Sequence, residues 1–344
     1  MSSEVNIAKN IFYDVIGQNR VKEVLSSLEN SGNVGHAYVF NGPAGIGRKM
    51  IAGKFAAMLM CMREHGAGEV CCECESCVLL KNGTNPDYIT VGLPKDKKSI
   101  PVESIRNMRE DMLTAPLIGK KKVYVIEHGD KMTPEAQNAL LKILEEPPHY
   151  VVIIILSSNP LLLLDTVRSR TVRIDFSRNT EDEIKLAYRQ MRNGNVDVDE
   201  EALVCTYADG IIGRVFDFGD GEEIKNLRRN VLDTMCGLYR GGFDERKRMS
   251  VILSEKGENS DLALFTLISL YRDIVHLVRF GKNAALQNKE YKDKLYDVGR
   301  DIGYYNAIRC IKIIDETWKN ISRNAAYKLA VEDMIIKLQE VMAV

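Results

Sequence analysis

His36-Ala37-Tyr38-Val39-Phe40-Asn41-Gly42-Pro43-Ala44-Gly45-Ile46-Gly47-Arg48-Lys49 decides the fold. His36–Phe40 suits a short strand, and Met50–Cys61 after the loop has a helical pattern. Strand, glycine loop and helix follow one another as in the phosphate-binding pattern G-x-x-x-x-G-K-[ST]. Gly42, Gly45 and Gly47 let backbone N–H groups close around phosphates at a helix N-terminus. The two side chains that carry chemistry are replaced. Arg48 stands where Lys reaches the β- and γ-phosphates, and Lys49 stands where a hydroxyl binds Mg²⁺. Lys49 does not replace the missing Lys, because one step along a helix turns a side chain by about 100°. A cation at the metal-ligand position also repels Mg²⁺. The plain alternative is a glycine turn without a ligand. The flanking strand and helix point instead to an ancestral nucleotide pocket, compatible with bound ATP or ADP and with no ligand at all.

Outward from this loop, Tyr88–Val91, Val123–Ile126, Val151–Leu156 and Val172–Phe176 are further strand candidates, separated by helical patterns. Val151–Leu156 is apolar at every position, as expected of a strand in a parallel sheet covered on both faces. Alternating strands and helices predict an α/β layer. After Phe176 the strand signals stop. Thr180–Met191 and Asp199–Ala208 read as helices, and Gly210 and Gly213 break the pattern. From about residue 222 the chain is helical, with apolar helices at Leu262–Phe280 and Ala325–Val341. The predicted architecture is α/β then all-α: a P-loop domain over 1–178, a small helical domain over 179–221 and a helical C-terminal domain over 222–344.

The strand Val123–Ile126 runs into Glu127-His128-Gly129-Asp130. In P-loop ATPases an Asp at this strand end holds Mg²⁺ and a following Glu polarises the attacking water. Glu127 takes the first place, one methylene too long, and His128 the second. Two altered motifs predict that hydrolysis is lost here. A polar strand end without a role is the alternative.

Five of the eight cysteines fall within 61–77. Cys71, Cys74 and Cys77 form C-x2-C-x2-C, and Cys61 supplies a fourth thiol from a helix end. Four thiolates make a closed, structural Zn²⁺ site. Cys72 is out of register and is read as a spare. Free buried cysteines and a redox C-x-x-C are the alternatives.

Composition excludes several classes. The formal net charge of −1 over 344 residues gives no basic field of the kind a lone DNA-binding protein shows. The longest apolar run is far short of the roughly 20 residues a membrane helix needs, and the N-terminus has no signal pattern. A soluble cytoplasmic protein is expected. The runs Lys95–Lys98 and Lys120–Lys122 are read as solvated loops before phosphate contacts.

Helix signals are clearest around residue 136. Thr133 suits the N-cap and Pro134 the first helical position. Ala136, Ala139, Leu140, Ile143 and Leu144 share a face, and Pro147-Pro148 end the helix. A packed core helix explains these apolar positions but not Gln137 or Asn138.

The segment Ala136-Gln137-Asn138-Ala139-Leu140-Leu141-Lys142-Ile143-Leu144-Glu145-Glu146-Pro147-Pro148 carries a specific resemblance. With it go Val15-Ile16-Gly17-Gln18, the His36–Phe40 strand and its loop, the cysteine module with Asn85-Pro86-Asp87, Ser169-Arg170-Thr171, Gly210-Ile211-Ile212-Gly213-Arg214 and Leu329-Ala330-Val331-Glu332. The chain resembles the delta-prime clamp-loader subunits of bacterial DNA polymerase III, relatives of the tau/gamma ATPases, over most of 12–218 and more thinly beyond. The resemblance implies an AAA+ domain with an inserted zinc module, a helical lid and a C-terminal collar. It implies partners too: tau/gamma- and delta-type subunits, with the sliding clamp and primed DNA reached through the complex. It places Arg170 as an arginine finger in a neighbour's ATP site, with Thr171 replacing the usual Cys beside it. Arg214 falls at the second-sensor position, where a structural salt bridge and ligand contact are both open. The altered loop and strand end, and the lack of a long extension after the third domain, favour delta-prime over tau/gamma.

Two other readings are an active tau/gamma-like ATPase of the same complex and a stand-alone zinc-dependent nucleic-acid-binding protein. Turnover by the purified chain distinguishes the first, and salt-sensitive DNA affinity the second.

Overall fold

The computed structural model describes residues 9–63, 66–95, 97–194, 196–216, 221–239, 243–253, 258–322 and 325–342. Position 96, inside the run Lys95–Lys98, lies outside them. The chain forms two compact units, Met1–Ala187 with Asp209–Gly213, and Tyr188–Ala208 with Arg214–Val344.

The first unit is built on a five-stranded sheet. Its strands are β1 (Ala37–Asn41), β2 (Tyr88–Val91), β3 (Lys122–Ile126), β4 (Val151–Ser157) and β5 (Val172–Asp175). All pairings are parallel and the order is β2-β3-β4-β1-β5. The register sets Phe40 opposite Leu156 and Val125 opposite Ile154. These bounds match the predicted strands to within a residue or so at each end.

Side-chain alternation divides the apolar run between two cores. Val152, Ile154 and Leu156 join a core with Phe55 and Ile51, from α2 (Arg48–Met60), and Leu25, from α1 (Asn19–Asn30). Val151, Ile153 and Ile155 face Ile105 and Met108, from α4 (Val102–Asp111), and Leu140 and Ile143, from α5 (Pro134–Glu145). The cysteine segment lies between α2 and α3 (Glu75–Lys81). A two-residue antiparallel ribbon, Lys9–Asn10 on Glu69–Val70, ties it to the start of the chain. β4 lies between β3 and β1, so the Glu127 and Gly42–Gly47 loops leave the sheet on either side of Ser157. This reversal of strand order is where open α/β sheets form their crevice.

The second unit is helical. Its core takes Leu267, Tyr271 and Ile274 from Glu258–Phe280, Ile314 from Lys292–Ser322 and Leu338 from Tyr327–Met342. Lys292–Ser322 is broken at Gly303, which has φ 73°. Buried Asp273 holds the connection before that helix by accepting the N–H of Gln287 at 3.0 Å and of Asn288 at 2.7 Å. Among the described residues no helix is long and apolar enough to cross a membrane.

Candidate nucleotide pocket and metal centre

Close packing explains the glycine loop. A Cβ on Gly42 would lie 2.8 Å from the Phe176 Cβ, and Gly45 and Gly47 adopt φ of +80° and +97°, where glycine is favoured. The Gly45 carbonyl accepts the Gly213 N–H at 2.8 Å, and a Cβ on Gly213 would strike that carbonyl. Both glycines of Gly210-Ile211-Ile212-Gly213 are therefore structural: Gly210 has φ +71° and packs on Asn179.

The replaced side chains engage one another. Lys49 Nζ lies 2.7 Å from Glu127 Oε1; the Lys49 side chain is 68% exposed and that of Glu127 21%. The cation at the hydroxyl position and the acid at the strand end thus neutralise each other. Arg48 Nη2 donates to Ser158 Oγ at 2.9 Å, and the Ser158 N–H donates to Asp130 Oδ1 at 3.0 Å. Burial pushes the Arg48 pKa down, and Asp130 opposes that shift. His128 takes a left-handed φ of 56°, and only glycine fits at 129, where a Cβ would overlap Ile155 Cγ2. The structure thus brings Gly42, Gly45, Gly47, Arg48, Lys49 and Glu127 together at one end of the sheet. Within the loop the Gly42 N–H donates to the Ser157 carbonyl at 3.2 Å and the Ile46 N–H to the Pro43 carbonyl at 3.4 Å. The arrangement lacks a hydroxyl ligand for a divalent ion at position 49.

Arg214 belongs to the second unit, where its guanidinium stacks 6.0 Å from the Tyr207 ring centroid and donates to the Tyr207 carbonyl at 3.4 Å.

The four cysteines converge. Cys61, Cys71, Cys74 and Cys77 place their sulfurs within 4.8 Å of one another. Cys61 Sγ to Cys71 Sγ is 3.5 Å, and Cys71 Sγ to Cys77 Sγ is 3.9 Å. A tetrahedral zinc–thiolate site with bonds of about 2.3 Å has edges of about 3.8 Å, so the cluster fits such an ion. Cys61 follows the last residue of α2 and Cys74 caps α3. The Cys74 N–H donates to Cys71 Sγ at 3.3 Å. Burial opposes ionisation of Cys71. The N–H groups of Glu73 and Cys74 and the neighbouring thiols outweigh it and bring the pKa to about 6. Burial pushes Cys61 and Cys77 up. Cys72 is exposed, with a left-handed φ of 57°.

Arg170 lies beyond α6 (Asp165–Arg168). Its guanidinium is held on its own surface, with Nη2 3.0 Å from Glu145 Oε1 and Nη1 donating to the Thr166 carbonyl at 3.1 Å. The residues leading to it are fixed by Gln137, which the apolar pattern of α5 left unexplained. Its buried amide donates to the carbonyls of Met132 at 3.3 Å and Leu162 at 3.2 Å, and accepts the Leu164 N–H at 2.7 Å. Asn138 is exposed.

Two further residues explain their motifs. The fully buried Asp87 carboxylate accepts three N–H groups, from Leu117 and Ile118 at 2.8 Å and from Gly119 at 3.2 Å. The Gln18 amide pairs with Ser177, donating to its carbonyl at 2.6 Å and accepting its N–H at 3.2 Å. The run Lys120–Lys122 is not uniformly solvated. Lys122 is buried, with Nζ 3.0 Å from the Asp111 carboxylate.

Residues 17–180 match the family described as DNA polymerase III, delta subunit. That match covers a little under half of the chain. It is 39% identical over 147 residues to DNA polymerase III subunit delta-prime of Pseudomonas aeruginosa, covering 43% of this chain and 44% of that protein. It is 34% identical over 159 residues to the Bacillus subtilis delta-prime subunit, covering 46% and 47%. The chain thus spans a little under half the length of these curated relatives. Among solved structures, a gamma-subunit-related DNA polymerase III protein of Thermotoga maritima superposes with a TM-score of 0.51 at 15% identity, covering 92% of this chain and 99% of that one. The shared fold is a parallel sheet followed by helices.

Proposed function

We propose that this chain is a non-hydrolysing subunit of a DNA polymerase III clamp loader, assembling with tau/gamma- and delta-type subunits in the cytoplasm. It helps load the sliding clamp on primed DNA and reaches both through the complex. The Lys49–Glu127 ion pair carries this reading, because it sets a side-chain cation against the acid that would otherwise serve a catalytic metal. The family match over 17–180 and the delta-prime relatives support the assignment.

Within that reading the four cysteines hold one structural Zn²⁺. Residues 179–221 serve as a lid and 222–344 as the collar that joins the subunits. Arg170 acts in trans, stabilising charge on the phosphoryl group in a neighbour's ATP site. Its contact with Glu145 is a surface ion pair between half-exposed groups, worth at most about 1 kcal/mol. A phosphate can therefore displace Glu145 at small cost.

Co-purification with the other loader subunits tests the proposal, followed by clamp-loading and ATPase assays with and without this chain. A chain that fails to join the complex, or whose omission leaves loading unchanged, rules it out.

A further inference from the structure

In the second unit, the connection between the helices Glu258–Phe280 and Lys292–Ser322 carries more positive charge than the fold requires. Residues 279–294 hold five cations, Arg279, Lys282, Lys289, Lys292 and Lys294, against two acids, in a chain whose formal net charge is −1. Both acids are engaged: Glu290 lies 2.9 Å from Arg228, and Asp293 lies 3.3 Å from Lys282. Arg228 and Arg229 come from the helix Gly221–Tyr239 and act electrostatically on the Tyr291 hydroxyl, which places them at the same connection. Among the described residues Arg229, Arg279 and Lys292 have no carboxylate partner.

Local structure explains only part of this pattern. Arg279 and Lys282 stand at the C-terminus of the first helix, where the helix dipole favours cations. Lys289, Lys292 and Lys294 gather at the start of the second, where the dipole favours anions. Asp233 offsets Lys294 at 3.0 Å, but Lys292 has no such partner. Rings lie among these charges. Phe280 ends its helix with 62% of its surface in solvent, and the Arg279 guanidinium sits 5.4 Å from its ring centroid. The Lys282 ammonium lies 4.9 Å from the half-buried Tyr296 ring.

We propose that this connection is a contact surface for single-stranded nucleic acid, with Arg229, Arg279 and Lys292 on phosphates and a base stacked on Phe280. Any base offers a face to an aromatic ring, and the cations follow the backbone without reading sequence. A duplex keeps its base faces stacked and cannot use Phe280. An acidic peptide satisfies the cations and gains nothing from the ring. The field is local, so the contact is weak in the isolated chain and adds to what a complex supplies. It does not rest on the clamp-loader reading.

Fluorescence anisotropy of a labelled oligothymidylate with the full-length purified protein tests it. Affinity should fall by about tenfold between about 50 and about 200 mM salt, the loss expected for about three phosphate contacts on a single strand. Arg279→Glu combined with Lys292→Glu should lower the low-salt affinity by about tenfold or more. Phe280→Ala should lower it by about fivefold or more, the scale of one lost stacking contact. Lys95→Glu combined with Lys97→Glu makes an equal change of charge at exposed sites in the first unit and should leave binding unchanged. Circular dichroism checks that the variants are folded. No binding at low salt, or binding that the Arg279, Lys292 and Phe280 variants leave intact, overturns the proposal. An equal loss in the Lys95 and Lys97 variant reduces the effect to net charge and also overturns it. Tighter binding of a duplex of the same length, or displacement by oligoglutamate with no effect of Phe280→Ala, rules out the single strand as the ligand.

Discussion

Arg170 Nη2 lies 3.0 Å from Glu145 Oε1, so the last residue of α5 holds the guanidinium that follows α6. Both side chains are partly exposed, at 38% and 53%. Removing the pair should change stability by less than about 1 kcal/mol. Arg170→Ala should therefore fold, bind metal and join the loader normally, while lowering clamp- and DNA-stimulated ATPase and clamp loading by the complex. Fingers of this kind are worth about 10³–10⁵ in rate at a single site; the effect on the complex is smaller where other ATP sites keep theirs. Arg170→Lys should not restore full activity, because one ammonium does not reproduce the planar fork. Normal loading by an assembled Arg170→Ala complex would reduce Arg170 to a surface ion-pair residue.

Metal content provides a second check. Purified chain should carry about one equivalent of zinc. Cys74→Ser should lower this sharply. Cys72→Ser should not, since Cys72 is exposed and stands outside the converging sulfurs. Elemental analysis of the two variants decides it, and equal losses would show that the ligand set is wrong.

ATP turnover by the isolated chain should stay at background. The hydroxyl position holds Lys49, which is paired with Glu127, and Arg48 is engaged with Ser158. Steady-state phosphate release measures this. Turnover that disappears in Arg48→Ala would contradict the non-hydrolysing reading.

Asp87→Asn should destabilise the first unit by about 3 kcal/mol, the scale of losing a buried ionic acceptor shared by several donors. An amide of the same shape keeps one carbonyl oxygen and turns an NH₂ towards backbone N–H groups. Urea denaturation of the full chain provides the measurement. A midpoint equal to that of the natural protein would mean that the turn at 117–119 is held by other contacts.

Much of this site was legible in the sequence because its parts are local. The glycines, Arg48 and Lys49 are consecutive, three of the four cysteines fall within seven residues, and β4 announces itself by apolar residues at every position. The missing pieces are side chains whose partners are remote. Asp87 meets the chain again thirty residues on, at Leu117. Gln137 reaches Leu164 and Gly45 reaches Gly213, links that no periodicity or spacing encodes. The ribbon Lys9–Asn10 with Glu69–Val70 is too short to leave a strand pattern. Taken alone, Lys49 and Glu127 are each a defect in their own motif; their complementarity exists only once β1 and β3 are set beside β4.

One helix joins the two chemical features of the first unit. α2 begins at the glycine loop, which Gly213 ties down through Gly45, and its C-cap is Cys61. Its 13 residues make a rod of about 20 Å. The sulfur cluster is therefore an anchor point that sets how far the glycine loop stands from Cys61.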